Sequence, residues 1–369
     1  MRITFVLDTF GGGGKERRCL QVVQGLNQFG ITDIQFIIIN NNVAYPEIYQ
    51  TSARVIIMDR KAFRMSDRQT YKTLKSFICD FKPDIVQGWG FLSLFFLNLL
   101  RITNKFTYIA SHVADGNKPQ GVSKWINKLT AILADAIVGN SLIGLKAYGI
   151  PSKKAICIYN GYNPERLEKA MTVNLDALRH ELGIDTPYIV TMVARVDENK
   201  DYACFLNIAR QICSKRNDVT FLSVGKGCLL DKFQQETISD QRIKFVGFRS
   251  DVEAILRMTT VSVLCTNIEK HQEGISNTIL ESMAMGVPVV ATYGGGTPEV
   301  VDNGRCGYCI KNNVVSDFVE KVMSLIVDKE LRAKFSLACK EIVAEKFSLK
   351  ESTAKYCNLY NTLLNRGNK

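Results

Sequence analysis

Short apolar runs rich in β-branched residues alternate with helical patterns along the whole chain. In the first half these runs predict strands at 3–7, 34–39, 55–58, 85–87, 108–110, 136–139 and 155–158. After a polar, helix-prone bridge the alternation restarts, and it predicts strands at 188–193, 219–224, 243–246, 261–264 and 287–291. Strands that alternate with helices form parallel sheets. The pattern therefore predicts an α/β fold with two doubly wound domains in tandem.

The helix predicted from residue 66 to about residue 81 has two unlike faces. One face is apolar and is expected to pack in the core: Tyr71, Leu74, Ile78 and Phe81. Another face is basic: Arg64, Arg68, Lys72 and Lys75. The basic face is either a solvated surface or a contact for anionic lipid.

Residues 91–100 are apolar on nearly every side, which indicates either a buried crossover helix or an anchor at a membrane interface. The longest nearly uncharged stretch, 88–100, is shorter than the roughly 20 residues that a membrane span requires. The N-terminus begins directly with an apolar run, so we expect no secretion signal.

The chain has 369 residues, of which 46% are hydrophobic and 22% are charged. This composition excludes a disordered chain.

Eleven scattered cysteines do not suggest a disulfide framework and favour a reducing compartment such as the cytoplasm. Cys306 and Cys309 form a CxxC sequence, which we interpret as surface cysteines of a strand rather than a redox pair. With only three histidines, no metal site is expected.

Positive charge is concentrated in the first half of the chain. Residues 1–170 contain 22 Lys or Arg against 12 Asp or Glu, whereas residues 171–369 contain 25 against 24. Such an asymmetry indicates an anionic partner: nucleic acid, a phospholipid surface or a phosphorylated substrate. Nucleic acid is disfavoured because no nucleic-acid-binding motif accompanies the charge.

Two short motifs are suited to binding phosphate. The glycines at 11–14 follow the first predicted strand and open a helix, so that backbone amides of Gly13 and Gly14 could face an anion. This loop is neither a Walker A sequence nor a dinucleotide-binding fingerprint. Arg195 and Lys200 follow another strand, at the sheet edge where open α/β folds bind ligands, and could hold a diphosphate.

The strongest local signal runs from Glu273 to Glu281. Ser276 and Asn277 are favourable helix N-caps, so a helix is predicted to start there with its first amides directed at an anion. Glu281 lies about one turn into this helix, and Glu273 lies in the loop before it. One carboxylate could bind a ribose diol and the other a sugar hydroxyl, with phosphate on the amides between them.

Together these residues resemble the retaining, GT-B-fold glycosyltransferases commonly numbered family four, which use nucleotide-sugar donors. The resemblance covers nearly the whole chain and rests on the following motifs: Gly11–Gly14, 135–141, Asn160-Gly161, Arg195 with Lys200, 224–227, 246–248, Glu273 with Glu281, 294–299 and the helix around Tyr356 and Tyr360. It implies an acceptor-binding domain at 1–165, a nucleotide-sugar-binding domain at 166–348 and a cleft between them. It further implies a C-terminal helix at 349–369 that packs back toward the first domain.

The resemblance also implies roles for individual residues. Glu273 would contact the donor sugar and Glu281 the ribose, while Arg195 and Lys200 would hold the diphosphate. His112 would meet the donor sugar from the first domain. The remaining donor-binding residues would be Gly13, Gly14, Phe248, Arg249, Gly274, Ile275, Ser276 and Asn277.

The expected activity is transfer of a hexose or N-acetylhexosamine from a nucleoside diphosphate sugar to an acceptor hydroxyl, with retention of configuration. No metal or cofactor is expected, because cations and a helix N-terminus could stabilise the departing diphosphate. The basic first half favours a lipid-linked glycan or surface polysaccharide precursor, such as lipopolysaccharide, as acceptor at the cytoplasmic membrane face. The alternatives are a sugar-nucleotide epimerase of the same fold and a non-catalytic membrane-associated scaffold.

Overall fold

The computed structural model describes residues 1–60 and 67–367 and contains two compact units. The first unit consists of residues 1–161 and 349–369, and the second of residues 162–348. The division between Gly161 and Tyr162 lies four residues before the end of the domain expected at 1–165.

The first unit is built on a parallel sheet of seven strands, ordered β3-β2-β1-β4-β5-β6-β7. Its strands are β1 Ile3–Leu7, β2 Ile34–Ile38, β3 Arg54–Ile57, β4 Ile85–Gly88, β5 Thr107–Val113, β6 Ala136–Gly139 and β7 Ala155–Cys157. Its helices are α1 Gly14–Gln28, α2 Arg68–Phe81, α3 Phe91–Thr103, α4 Gly121–Leu133, α5 Leu142–Ala147 and, at the C-terminus, α15 Leu349–Gly367. All seven predicted strands are present, because runs of Val, Ile and Phe suit a sheet that helices cover on both faces.

The C-terminal helix α15 packs against α1, which confirms that the chain returns to its first unit. Tyr356 and Tyr360 of α15 are fully buried in one core of the unit. Nη2 of Arg18 donates a 2.9 Å hydrogen bond to the Tyr356 hydroxyl, and the Tyr360 hydroxyl donates a 2.5 Å bond to Oε1 of Gln87. These buried polar contacts fix the helix against both α1 and the sheet.

Helix α2 has the predicted apolar face, since Leu74 and Ile78 are buried. Asp67 caps the helix by accepting hydrogen bonds from the amides of Gln69 and Thr70. Lys72 is exposed and Lys75 is half-buried, while Arg64 lies outside the described residues. The basic face is therefore on the surface, as both of its interpretations require.

Helix α3 is a buried crossover helix. Leu94, Phe96, Leu97 and Leu100 are at most 2% exposed, and Nδ2 of Asn98 donates a 2.9 Å bond to Oγ1 of Thr130 in α4. Packing on both the sheet and α4 explains why this helix is apolar on nearly every side. Of the two interpretations of 91–100, burial is confirmed.

The second unit contains a parallel sheet of six strands, ordered β10-β9-β8-β11-β12-β13. Its strands are β8 Tyr188–Val193, β9 Val219–Val224, β10 Ile243–Phe245, β11 Val261–Leu264, β12 Val289–Thr292 and β13 Gly307–Ile310. Its helices are α6 Glu165–Met171, α7 Leu175–Glu181, α8 Tyr202–Cys213, α9 Leu230–Glu236, α10 Val252–Arg257, α11 Asn277–Ala284, α12 Thr297–Val300, α13 Val315–Val327 and α14 Lys329–Lys346. Two doubly wound α/β units are thus confirmed.

The interpretation of Cys306 and Cys309 as surface cysteines is wrong for Cys306. This residue directly precedes β13 and is fully buried, and Sγ of Cys339 in α14 lies 3.2 Å from its carbonyl oxygen. Burial raises the pKa of the half-buried Cys309 to about 12, which makes it a poor nucleophile. All eleven cysteines are free thiols.

Within 1–60 and 67–367, no helix combines the length and the apolar character that crossing a membrane would require.

Candidate functional site

The candidate site lies at the carboxyl edge of the second sheet, where strands β8 and β11 are neighbours. From β8 the chain continues to β9 on one side, whereas β11 is followed by β12 on the other side. Connections that leave a sheet in opposite directions open a crevice at the carboxyl ends of the two central strands. Lys200 follows β8 and Thr266 follows β11, and their backbones pair in an antiparallel bridge at this point.

Lys200 and Glu273 form the central ion pair of the site. The Lys200 ammonium contacts Oε1 of Glu273, and both side chains are largely buried. The Thr266 hydroxyl donates a 3.1 Å bond to the same oxygen, while Nε2 of His271 lies 3.6 Å from Oε2. The sequence predicted the lysine and the glutamate at this site, but not the threonine or the histidine.

The Glu273 carboxylate is held in its charged form. Burial raises its pKa, but the charge of Lys200 and the hydrogen bond from His271 outweigh burial and bring the pKa well below its usual range. Glu273 is therefore an acceptor of hydrogen bonds at neutral pH, suited to sugar hydroxyl groups. The positive charge of Lys200 is paired with this carboxylate.

A glycine turn after β12 positions the backbone of Glu273. Gly295 has φ of +52°, and a Cβ atom there would lie 2.0 Å from the Glu273 carbonyl oxygen. The amide of Gly296 donates a 2.8 Å hydrogen bond to that same oxygen. Only glycine allows both the left-handed conformation and the close approach. This contact explains why position 295 is glycine.

Asn313 joins the loops that carry the site, and the sequence did not indicate it. Its Nδ2 donates to Oδ2 of Asp201 at 2.8 Å and to the Thr266 carbonyl at 2.9 Å. The Thr292 hydroxyl donates a 2.6 Å bond to its Oδ1. Asn313 thereby connects the ends of β11 and β12 with the start of α8. Its φ of 50° is one that asparagine tolerates better than most residues.

Arg195 and Lys200, predicted as a pair of phosphate ligands, have different surroundings. The Arg195 side chain is 71% exposed and its guanidinium lies 3.0 Å from Oδ2 of Asp197. Lys200 is buried against Glu273. Exposed ion pairs are weak, so Arg195 retains freedom to move toward an incoming anion.

Helix α11 begins at Asn277 with Ser276 as its N-cap, which confirms the predicted start. The backbone of Ser276 is extended, and its side chain makes no capping hydrogen bond. Gly274 and Ile275 are buried in the loop that leads into the helix. The first turn of α11 and Glu273 are therefore held on one short segment.

Glu281 lies in α11 inside a buried ion cluster. Nη1 of Arg166 in α6 donates a 2.9 Å bond to its Oε1, and Nη2 of Arg166 lies 2.5 Å from Oε1 of Glu253 in α10. Both carboxylates are at most 5% exposed. Burial lowers the pKa of Arg166, whereas the two carboxylates raise it by a larger amount, so the net shift is upward. Arg166 is a site residue that the sequence did not reveal.

Phe248 and Arg249 follow β10 and border a cavity of about 390 Å³, together with Ser250 and Asp251. The Phe248 ring is 68% exposed, and the Lys226 ammonium lies 5.1 Å from its centre. The Arg249 guanidinium is held by Asp251 at 2.6 and 2.8 Å and by Glu181 at 2.5 Å. These hydrogen bonds raise the pKa of Arg249. Because the Arg249 side chain is already paired, this segment presents the exposed Phe248 ring and backbone groups to a ligand.

Three predicted site residues lie in the first unit. Gly13 is the N-cap of α1 and Gly14 is its first residue, and the Glu16 carboxylate lies against Gly13. His112 is the penultimate residue of β5, a strand that extends beyond the predicted residues 108–110, and it is 4% exposed. Its Nε2 lies 2.9 Å from Oδ1 of Asn127, and its buried Nδ1 has no partner among the described residues. Burial lowers the pKa of His112 to about 4, so the imidazole is neutral at pH 7.

Across the described residues, no group of three or more His, Cys, Asp or Glu side chains is arranged to hold a metal ion.

Comparison with known proteins shows what this site is similar to. Residues 187–328, which carry β8 to α13, match the model for "Glycosyl transferases group 1". The putative glycosyltransferase EpsD of Bacillus subtilis is 23% identical over 328 residues, or 84% of each chain. A galactosyltransferase of Escherichia coli, named for UDP-galactose and an N-acetylglucosamine-diphosphoundecaprenol acceptor, is 25% identical over 65% of this chain and 63% of its own.

Seven other similar curated proteins are matched over only 36% to 63% of their own length. Among solved structures, Anabaena HepE in complex with UDP superposes with a TM-score of 0.83 at 16% identity. The superposition covers 98% of this chain and all of HepE. These findings confirm the expected GT-B fold and the resemblance to group 1 glycosyl transferases, and they do not favour an epimerase.

Proposed function

We propose that this chain, which resembles the group 1 glycosyl transferases, transfers a hexose or N-acetylhexosamine from a UDP-sugar to an acceptor hydroxyl. The observation that carries this proposal is the buried Lys200–Glu273 pair at the switch point of the sheet, inside the segment that matches the family. A cation beside a charged carboxylate suits a ligand that has a diphosphate next to a sugar. Relatives and the HepE complex supply the choice of a uridine nucleotide.

The donor would be bound in three parts. Lys200, Arg195 and the amides that begin α11 would bind the diphosphate, and Glu281 would bind the ribose. Glu273 would accept hydrogen bonds from hydroxyls of the donor sugar. The base would lie against Phe248 and the backbone of Arg249, whose side chain is already held by Asp251 and Glu181. The residues of the first unit keep their expected roles, with Gly13 and Gly14 as ligands of the diphosphate and His112 as a ligand of the sugar.

The main chemical contribution would be stabilisation of the leaving group. As the bond between the anomeric carbon and the β-phosphate oxygen breaks, negative charge develops on the diphosphate next to Lys200 and Arg195. The acceptor hydroxyl would attack from the same face, and its proton would pass to the departing phosphate oxygen. This course retains the configuration of the sugar. Glu273 would orient the sugar and not form a covalent bond to it.

We expect no requirement for a divalent metal or another cofactor, because two cations and a helix N-terminus supply positive charge where the leaving group forms. Turnover that is unchanged by a metal chelator would support this expectation. Turnover that is lost with the chelator and restored by Mg²⁺ would contradict it.

The acceptor would be a lipid-linked glycan or a surface polysaccharide precursor at the cytoplasmic face of the membrane. The excess of basic residues in 1–170 supports an anionic surface or acceptor. Eleven free thiols support a reducing compartment.

A panel of nucleoside diphosphate sugars tests this function. The purified chain should show an upward shift in its unfolding temperature with UDP and with one or more UDP-sugars, because ligands that bind only the folded state stabilise it. It should also hydrolyse the matching donor slowly in the absence of acceptor. A panel that gives neither a shift nor hydrolysis would contradict the proposal.

A further inference from the structure

We infer that α4 carries a membrane-docking surface, which we call the α4 stripe, formed by Val122, Trp125, Leu129 and Ile132. The stripe would enter the interfacial region of a membrane that contains anionic phospholipid. The inference deepens the proposed function, because a lipid-linked acceptor would require the enzyme to reach a bilayer.

The first observation is the exposure of large apolar side chains on one face of a helix. Val122 is 61% exposed, Trp125 and Ile132 are each 71% exposed, and Leu129 is 38% exposed. Their spacing of three, four and three residues places them on one side of α4. Ile126, Asn127 and Thr130 are buried against the rest of the unit. A helix on the surface of a soluble protein normally presents polar residues to water, so an apolar stripe indicates a partner.

The second observation is the charge around the stripe, which identifies the partner. Lys124 and Lys128 are exposed on α4, which contains neither Asp nor Glu. Between residues 99 and 133 the charged residues are Arg101, Lys105, Lys118, Lys124 and Lys128 against Asp115 alone. Apolar side chains flanked by lysine on one helix are typical of helices that lie in the membrane interface. The positive charge complements anionic lipid.

The third observation is the residue at the centre of the stripe. Tryptophan prefers the interfacial region of a bilayer, where its ring is buried and its N–H stays near water. The Lys128 ammonium lies 5.1 Å from the centre of the Trp125 ring. A lysine beside an exposed tryptophan can reach phosphate headgroups while the ring enters the acyl boundary.

The two helices that the sequence singled out are less suited to insertion. The apolar residues of α2 are turned into the core, so its basic face could contribute only electrostatic attraction. Seven of the nine apolar residues in α3 are buried or half-buried, and only Leu99 and Ile102 are exposed, at 37% and 63%. The α4 stripe therefore replaces residues 91–100 as the candidate for apolar insertion.

Tryptophan fluorescence offers a direct test, because the chain contains two tryptophans in opposite surroundings. Trp89 is fully buried and Trp125 is 71% exposed. Vesicles of phosphatidylcholine with phosphatidylglycerol should shift the emission to shorter wavelength and protect it from a water-soluble quencher. Vesicles of phosphatidylcholine alone should have a much smaller effect. Because Trp89 is already shielded, the change reports Trp125.

Variants assign the effect to the stripe. Combined Trp125→Gln, Leu129→Gln and Ile132→Gln should lower co-sedimentation with anionic vesicles by at least about tenfold, because the apolar surface available for transfer is lost. Glutamine keeps helix propensity high. Ile238→Gln, a change at an 84% exposed residue of the second unit, should leave vesicle binding unchanged. Lys124→Gln with Lys128→Gln should weaken the preference for anionic lipid.

Two outcomes would overturn the inference. One is equal vesicle binding by the triple variant and the parent. The other is an absence of vesicle binding together with a stripe-dependent dimer in solution, which would assign the stripe to a second copy of the chain. UDP binding by the triple variant, measured in the same preparation, should equal that of the parent. Loss of vesicle binding with UDP binding retained would leave the proposed transferase function intact, whereas absence of UDP binding in the parent would count against that function alone.

Discussion

Nη1 of Arg166 donates a 2.9 Å hydrogen bond to Oε1 of Glu281, although 115 residues separate them in the sequence. The same guanidinium also neutralises Glu253, so one cation serves two buried carboxylates. Arg166 therefore acts as a positioning residue for Glu281. The carboxylate proposed to bind ribose is therefore held in place by a side chain of α6.

Arg166→Met should destabilise the protein and weaken UDP binding. Removal of the shared cation leaves two buried carboxylates uncompensated, which costs about 3 kcal/mol in comparable buried pairs. Chemical denaturation and calorimetry with UDP measure the two effects. Arg210→Met is the matched control, since Arg210 and Glu236 form an exposed pair, and it should change neither value appreciably. An Arg166→Met variant with normal UDP affinity would show that Glu281 does not depend on Arg166.

Lys200→Ala should weaken UDP binding by at least about tenfold, because a hydrogen bond to a charged group contributes roughly 1.5–3 kcal/mol. Arg195→Ala should have a smaller effect, because the Arg195 side chain is 71% exposed. Calorimetry with UDP decides both. Lys200→Ala alone leaves the buried Glu273 carboxylate without its cation. The double variant Lys200→Ala with Glu273→Gln removes that carboxylate as well, so that its UDP affinity reports the loss of the lysine contact. Lys270→Ala, at an exposed pair with Glu198, serves as control. Unchanged affinity in both single variants would place the phosphate site elsewhere.

Glu273→Gln should lower turnover by about a hundredfold while UDP binding stays equal or becomes tighter. The substitution removes the charge that competes with a diphosphate for Lys200, and it weakens the acceptor for the sugar hydroxyls. Steady-state kinetics and UDP calorimetry on one preparation separate these effects. Glu269→Gln, in the same loop and exposed, should leave both unchanged. Normal turnover in Glu273→Gln would contradict the assigned role.

Neutral His112 should make the free energy of unfolding depend on pH. Its pKa is lowered from 6.5 to about 4 in the folded state, so the unfolded state binds more protons between these values. The stabilisation should be present above about pH 6.5 and should be lost as the pH falls toward 4, by about 3 kcal/mol in total. Denaturant unfolding of the parent and His112→Gln at several pH values measures this difference. Parallel pH dependences in the two proteins would contradict it.

The strands and the helix start at Asn277 were predictable because each depends on local pattern. Strand β8, for example, is an apolar run that helices bury on both faces, and Ser276 marks a helix start through its own preference for the N-cap. Arg166 and Asn313 were not predictable, because their partners are distant in sequence. Burial of Cys306 depends on Cys339 of α14 in the same way.

The α4 stripe shows a further limit of sequence patterns. Helix α4 contains apolar residues on two sides. The sequence pattern alone therefore does not show whether the side with Ile126 or the side with Trp125 faces the core. Only tertiary packing shows that Ile126 is buried while Trp125 is exposed. In helix α2, by contrast, the sequence places the apolar residues on a single face, and this face packs in the core.

Nuclear magnetic resonance of slow donor hydrolysis tests the transferase assignment most directly. The purified chain is incubated with the UDP-sugar that gives the largest thermal shift, and the first sugar released is observed before it mutarotates. Retention predicts release of UDP together with a sugar of the donor's own anomeric configuration, at a rate that Glu273→Gln lowers about a hundredfold. Release of the opposite anomer, or equal rates in the parent and Glu273→Gln, would contradict a retaining transfer at the Lys200–Glu273 site.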